Sequence, residues 1–232
     1  MTKMNGSDGG DEQAMLAEFG RATARLIHDF KNQLGGLKLY TAYLKKRFAA
    51  HPDLAEGLEI ADKIAQSVNE MAENANLIGK LARPIELKLT EAQFTSLVEH
   101  ALNRLQPQIA ERRLEVKTEL VATPLLKMDS QQTLSAIGAL LTRAIEALPE
   151  NGRLRLTLQN PDGELQFSIV DEGSSLTKEQ RQSFFDFLTN ERLNKTSLNL
   201  ALAKRIMEAQ GWQIAALVAE PAGTEIRVTI RI

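Results

Sequence analysis

Arg25-Leu26-Ile27-His28-Asp29-Phe30-Lys31-Asn32-Gln33-Leu34-Gly35-Gly36-Leu37 decides how the N-terminal third of this chain folds. Ile27, Phe30, Leu34 and Leu37 recur at alternating steps of three and four, and Thr41, Leu44 and Phe48 continue the series. That spacing is a heptad-like seam along one helix. Leu58, Ala61, Ile64, Val68, Met71, Ala75 and Ile78 repeat it on a second. Pro52 separates the two, because it disfavours helix at His51 and suits the first turn of a new helix. Two helices with a short connection form an antiparallel hairpin. An isolated pair cannot cover both seams, so two hairpins are expected to pair as a four-helix bundle in a homodimer.

From Pro84 the period changes. Ile85–Leu89 and Leu114–Leu120 alternate like half-buried strands, with Thr90 as the N-cap of an intervening amphipathic helix. Ser130 is the expected cap of a second helix, carrying Leu134, Ile137, Leu141, Ala144 and Leu148. A turn at Pro149–Gly152 leads to a hairpin, Leu154–Leu158 and Leu165–Asp171, around Asn160-Pro161-Asp162-Gly163. A helix at about 197–210 precedes strands Trp212–Val218 and Glu225–Ile232. Helices gathered on a largely antiparallel sheet make a two-layer α+β domain. The expected organisation is a polar, glycine-rich disordered tail over 1–12, a helical hairpin over 13–83 and the α+β domain over 84–232.

Composition narrows the function classes. The 232 residues carry a formal net charge of -2, which offers no strong field for nucleic acid or an anionic membrane. No apolar run is long enough to span a bilayer, and no signal-peptide pattern opens the chain. There is no cysteine, so disulfides and thiolate metal sites are excluded. The reading is a cytoplasmic protein.

His28 is set about 100° around the helix from Ile27, at the flank of the seam. An exposed histidine is most often only a solvated surface residue. Asp29 and Asn32 weaken that plain reading. An imidazole nucleophile needs a free accepting nitrogen, and a carboxylate at its other ring nitrogen fixes the tautomer and raises basicity. Asn32, one turn further on, shares the same space and can position water.

The run Arg25–Leu34 resembles the phosphoacceptor motif of bacterial two-component histidine kinases, with its dimeric helical hairpin. Gln33 stands where that family often has proline. The resemblance continues through the second domain, which is similar to the family's ATP-binding sandwich. Ala139–Ala147 looks like the helix whose asparagine binds the Mg²⁺ of the nucleotide, but Arg143 occupies that position and a guanidinium cannot ligate a metal. Val170-Asp171-Glu172-Gly173-Ser174-Ser175 resembles the first glycine box. Asp171 matches the carboxylate that meets the adenine amino group, Gly173 is kept, and Ser175 replaces the second glycine. Phe184–Phe187 resembles the phenylalanine box. Lys195-Thr196-Ser197-Leu198-Asn199 stands where a phosphate-binding glycine box is expected, and its glycines are gone.

The resemblance therefore implies a two-component signalling protein with His28, Asp29 and Asn32 as catalytic residues and a degenerate nucleotide site. His28 would exchange phosphoryl groups with a response-regulator receiver domain, as a phosphotransferase, a phosphatase or both. The expected partners are that receiver, a second copy of the chain and a hybrid or sensor kinase. No cofactor and no metal ligand are expected. Two alternatives stay open. One is an ATP-dependent autokinase using Asp171, Gly173, ATP and Mg²⁺. The other is a non-catalytic partner of a kinase or receiver.

Overall fold

The computed structural model describes residues 8–50, 55–188, 194–220 and 222–231. They divide into two compact units, Met1–Pro84 and Ile85–Ile232. No helix among the described residues is long and apolar enough to cross a membrane.

The first unit is a hairpin of α1 (Asp8–Ala49) and α2 (Ala55–Leu81). Helix begins at Asp8, inside the stretch expected to be a tail; residues 1–7 lie outside the described residues. Strong helix formers from Gln13 to Glu18 outweigh the glycines before them. The expected start of the second helix at Pro52 also lies outside the described residues. Three contacts fix the antiparallel register. Ile27 packs at Gly79, Lys45 Nζ meets Asp62 Oδ1 at 2.6 Å, and the Phe48 ring fills the space that Gly57 leaves open.

The seam divides into two halves. Leu34 and Thr41 on α1, and Ala61, Val68 and Ala75 on α2, are buried at seven-residue spacing. Thr41 tolerates burial because its hydroxyl donates to the carbonyls of Leu37 and Lys38. The other half, Phe30, Leu37, Leu44, Ile64 and Met71, stays exposed in the single chain.

The second unit is the two-layer α+β domain. Its five-stranded sheet has the order β2-β4-β5-β7-β6, built from β2 (Glu115–Leu120), β4 (Arg153–Gln159), β5 (Glu164–Asp171), β6 (Gln213–Val218) and β7 (Thr224–Arg231). Only the β2–β4 pair is parallel. Helices α3 (Phe94–Glu111), α4 (Ser130–Ala147) and α6 (Lys195–Ala209) form the other layer, and the short α5 (Lys178–Gln182) lies between β5 and α6 in the chain. Strict alternation supplies the sheet's half of the core: Leu154, Leu156 and Leu158, then Leu165, Phe167 and Ile169, then Ile226, Val228 and Ile230. Phe94 lies between Phe167 and Trp212, edge-on to both at centroid distances of 5.5 and 5.7 Å.

Two local expectations are corrected. Ile85–Leu89 is not a strand, and Thr90 is not a cap. Thr90 opens β1 (Thr90–Gln93), which pairs antiparallel with the short strand β3 (Leu125–Met128). The Thr90 hydroxyl reaches the Met128 carbonyl across that pair. Pairing to β3 therefore outweighs the capping propensity. Asp129, not Ser130, caps α4. Its side chain accepts from the backbone N–H groups of Gln132 and Lys88, while its own N–H donates to Gln210 Oε1. Burial alone would raise this carboxyl; those donors hold it below its ordinary range.

Truncating Phe94 removes the ring that joins α3 to the sheet. Phe94→Ala is expected to destabilise the second unit by about 3–5 kcal/mol. Urea unfolding followed by fluorescence of Trp212, the one tryptophan of the chain, checks this.

Candidate functional site

His28 and Asp29 lie on the exposed face of α1, with side chains 70% and 75% accessible. The helical repeat places Asn32 one turn below His28. Asn32 Nδ2 lies 3.4 Å from His28 Nδ1, and Asp29 Oδ1 lies 3.5 Å from the same nitrogen. The three residues expected from the sequence to act together are thus brought together around Nδ1 of His28. Gly35 and Gly36 follow on the helix, and a Cβ at either would meet nothing within 4 Å. Close packing within the hairpin does not account for them.

The second cluster is in the α+β unit. Asp171 is the last residue of β5 and continues the inward phase of Leu165, Phe167 and Ile169, which is why it is buried. Gly173 N–H donates to its Oδ1 at 3.1 Å. Burial pushes the Asp171 carboxyl above its ordinary range, against the opposing pull of the Gly173 N–H, Arg143 and the Thr224 N–H. A Cβ at Gly173 would lie 2.9 Å from Asp171 Oδ1 and 3.1 Å from the Ala147 carbonyl oxygen, so a side chain there would press on the buried carboxyl. Ser175, at the expected second glycine, accepts a hydrogen bond from the Gly223 N–H at 3.0 Å and ties the loop to the β6–β7 turn.

Beside these residues is a cleft of about 230 Å³ lined by Arg143, Gln180, Phe184, Asn194, Ser197 and Leu200, among others. Arg143 lies over the Phe184 ring at 5.4 Å, a cation–π distance. The N-terminus of α6 is closed by its own capping box: Asn194 Oδ1 accepts from Ser197 N–H at 2.8 Å, and Ser197 Oγ faces the Asn194 N–H. Thr196 donates to Glu146 Oε2 on α4 at 3.0 Å. The sequence reading started this helix near Ser197 and so missed the Asn194 cap. The signal was present as Asn194-x-x-Ser197. Among the described residues, no group of three or more His, Asp or Glu side chains could hold a metal ion.

Comparison with known proteins identifies the C-terminal domain. Residues 128–232 match the histidine kinase-, DNA gyrase B- and HSP90-like ATPase model. The sensor histidine kinase ZraS of Klebsiella oxytoca is 24% identical over 203 residues, covering 87% of this chain and 43% of that protein. Full-length ShkA, solved in complex with AMPPNP, aligns over 90% of this chain and 45% of its own, with a TM-score of 0.74 and 19% identity. Histidine kinase ThkA, solved in complex with the response regulator protein TrrA, aligns over 95% of this chain and 63% of its own, with a TM-score of 0.64 and 18% identity. Residues 128–232 therefore form a domain of this ATPase type, and the chain as a whole is similar to sensor histidine kinases. It spans less than half the length of the curated relatives it matches.

The burial of Asp171 has a measurable sign. Its folded-state value is raised, so the native state binds the proton more tightly than the unfolded chain does. Its contribution to stability is full below the unfolded value, about 3.9, and is lost as pH rises through the folded value. Asp171→Asn removes that loss. The melting temperature of the variant minus that of the parent is expected to increase as pH is raised from about 4 to 7. Paired thermal melts at several pH values check this, and a flat or falling difference would contradict the assignment.

Proposed function

We propose that the chain is a dimeric histidine phosphotransfer protein, acting also as a phosphatase, that exchanges phosphoryl groups with the receiver domain of a response regulator. His28 is the phosphoacceptor. Its Nε2 lone pair attacks the phosphorus of the receiver's aspartyl phosphate, the P–O bond breaks, and the receiver's carboxylate leaves with the electron pair. Asp29 accepts from the Nδ1–H and balances the positive charge that the ring gains. In the hydrolytic direction Asn32 holds the attacking water, assisted by His28 or Asp29. Mg²⁺ bound by the receiver serves the transfer, so this chain supplies no metal ligand.

The observation that carries the choice of phosphoryl source is the state of the α6 cleft. Triphosphate binding needs a metal ligand and bare backbone N–H groups near the phosphates. Here Arg143, where the resemblance expects the metal-binding asparagine, lies over the Phe184 ring, and Asn194 takes the Ser197 N–H at the start of α6. These residues do not fit an Mg²⁺–triphosphate group. A receiver partner is supported by ThkA, which was solved in complex with a response regulator. A second reading, an ATP-dependent autokinase, draws on Asp171 and Gly173, which keep the positions expected beneath an adenine.

Homodimerisation is supported by the exposed half-seam. Phe30, Leu37, Leu44, Ile64 and Met71 repeat at seven-residue steps on two adjacent helices, the pattern a second hairpin would cover.

Two experiments test this reading. The protein is incubated with radiolabelled ATP and Mg²⁺, and separately with a phosphorylated receiver, and acid-labile phosphate on His28 is measured. Label from the receiver alone, abolished in His28→Ala, is the expected result. Label from ATP alone would sink the proposal in favour of the autokinase, and neither label nor faster receiver dephosphorylation would favour a non-catalytic partner. Sedimentation analysis should give twice the chain mass for the parent and a shift to single chains for Met71→Glu.

A further inference from the structure

The Nδ1 atom of His28 is contested. Asn32 Nδ2 at 3.4 Å is a donor, and Asp29 Oδ1 at 3.5 Å is an acceptor. A neutral imidazole carries one ring proton, so Nδ1 either accepts from the amide or donates to the carboxylate. The two bonds belong to different tautomers. When Asn32 donates to Nδ1, the proton is on Nε2 and that nitrogen has no free lone pair. When Nδ1–H donates to Asp29, the Nε2 lone pair is free.

We propose that Asn32 is a positioning residue that restrains His28 in the tautomer unable to attack through Nε2, and that a docked receiver passes Nδ1 to Asp29. This rests on the phosphotransfer reading above and adds how the nucleophile is held back until its partner arrives. In the free chain both flanking groups are open to water. Water weakens an ionic hydrogen bond more than a neutral one, so the amide keeps a substantial share of Nδ1. Covering the site lowers the local dielectric and strengthens the carboxylate bond more than the amide bond. The lone pair on Nε2 is then released beside the aspartyl phosphate. As the N–P bond forms and the receiver's P–O bond breaks, the Nδ1 proton remains between the ring and Asp29.

The test reads the tautomer directly and needs no receiver, so its failure is separate from failure of the phosphotransfer reading. The full chain is labelled with ¹⁵N-histidine, and the His28 nitrogen shifts are identified by their loss in His28→Ala. Spectra are recorded over a pH series up to the range in which the His28 nitrogen shifts no longer change. Asn32→Ala and Asn32→Asp are each expected to raise the ratio of Nδ1–H to Nε2–H by about threefold, the order of one solvent-exposed neutral hydrogen bond. Asp29→Asn should lower it. Phosphorylation of His28 by phosphoramidate should quicken in Asn32→Ala by a similar factor. An unchanged or lowered ratio in Asn32→Ala overturns the assignment. A raised ratio with an unchanged rate overturns its link to nucleophilicity.

Discussion

Strand β5 is the constraint on which the α+β unit depends. It is paired with β7 along its whole length, Glu164–Asp171, and with β4 over Gln166–Asp171. Its two-residue period therefore fixes which side chains of three strands meet the helices. Leu165, Phe167 and Ile169 follow that phase into the core, and Asp171 has to follow it too. The carboxylate is buried because the strand leaves it no other direction. Gly173, Thr224 and Arg143 then offset part of the desolvation, and the raised carboxyl records what they do not offset. A chain that selected only for stability would place an apolar residue there. A costly buried acid at the end of a core strand is a position where stability alone does not explain the residue.

The hairpin unit follows a different logic. Its seam carries more apolar surface than one chain covers, and the heptad period sorts that surface into two stripes. The stripe of Leu34, Thr41, Ala61, Val68 and Ala75 is small enough in cross-section to close the pair. The stripe with Phe30, Leu37 and Met71 is bulkier and remains outside. His28 is on neither stripe, so the residue proposed to accept the phosphoryl group lies off the stripe proposed for assembly.

Much of this was legible in the sequence, for identifiable reasons. Long periodic segments gave both hairpin helices and the alternation of β4, β5 and β7, because packing against one face repeats a simple rule over many residues. Short elements were lost. β1 and β3 contribute four residues each, too few for a period, and their pairing links positions far apart in the chain. Thr90 was read locally as a cap and is held by a strand that local reading could not see. The His28, Asp29 and Asn32 cluster was legible because helical spacing alone brings those residues together. The arrangement around Arg143 was not. Its identity could be read, but its stacking on Phe184 and the Asn194 cap depend on how α4, α6 and the loop before α6 meet.

Gly223 carries a consequence of its own. It sits in the β6–β7 turn with φ at +113°, and a Cβ there would overlap the carbonyl oxygen of Asp171. Its N–H is also the donor that holds Ser175. A residue in a surface turn is ordinarily free to vary. This one should tolerate change as poorly as the centre of the core, since any side chain pushes directly on the end of β5. Inheritance at position 223 would then be governed by the backbone of a strand more than fifty residues earlier, and a library of random variants would find Gly223 nearly fixed.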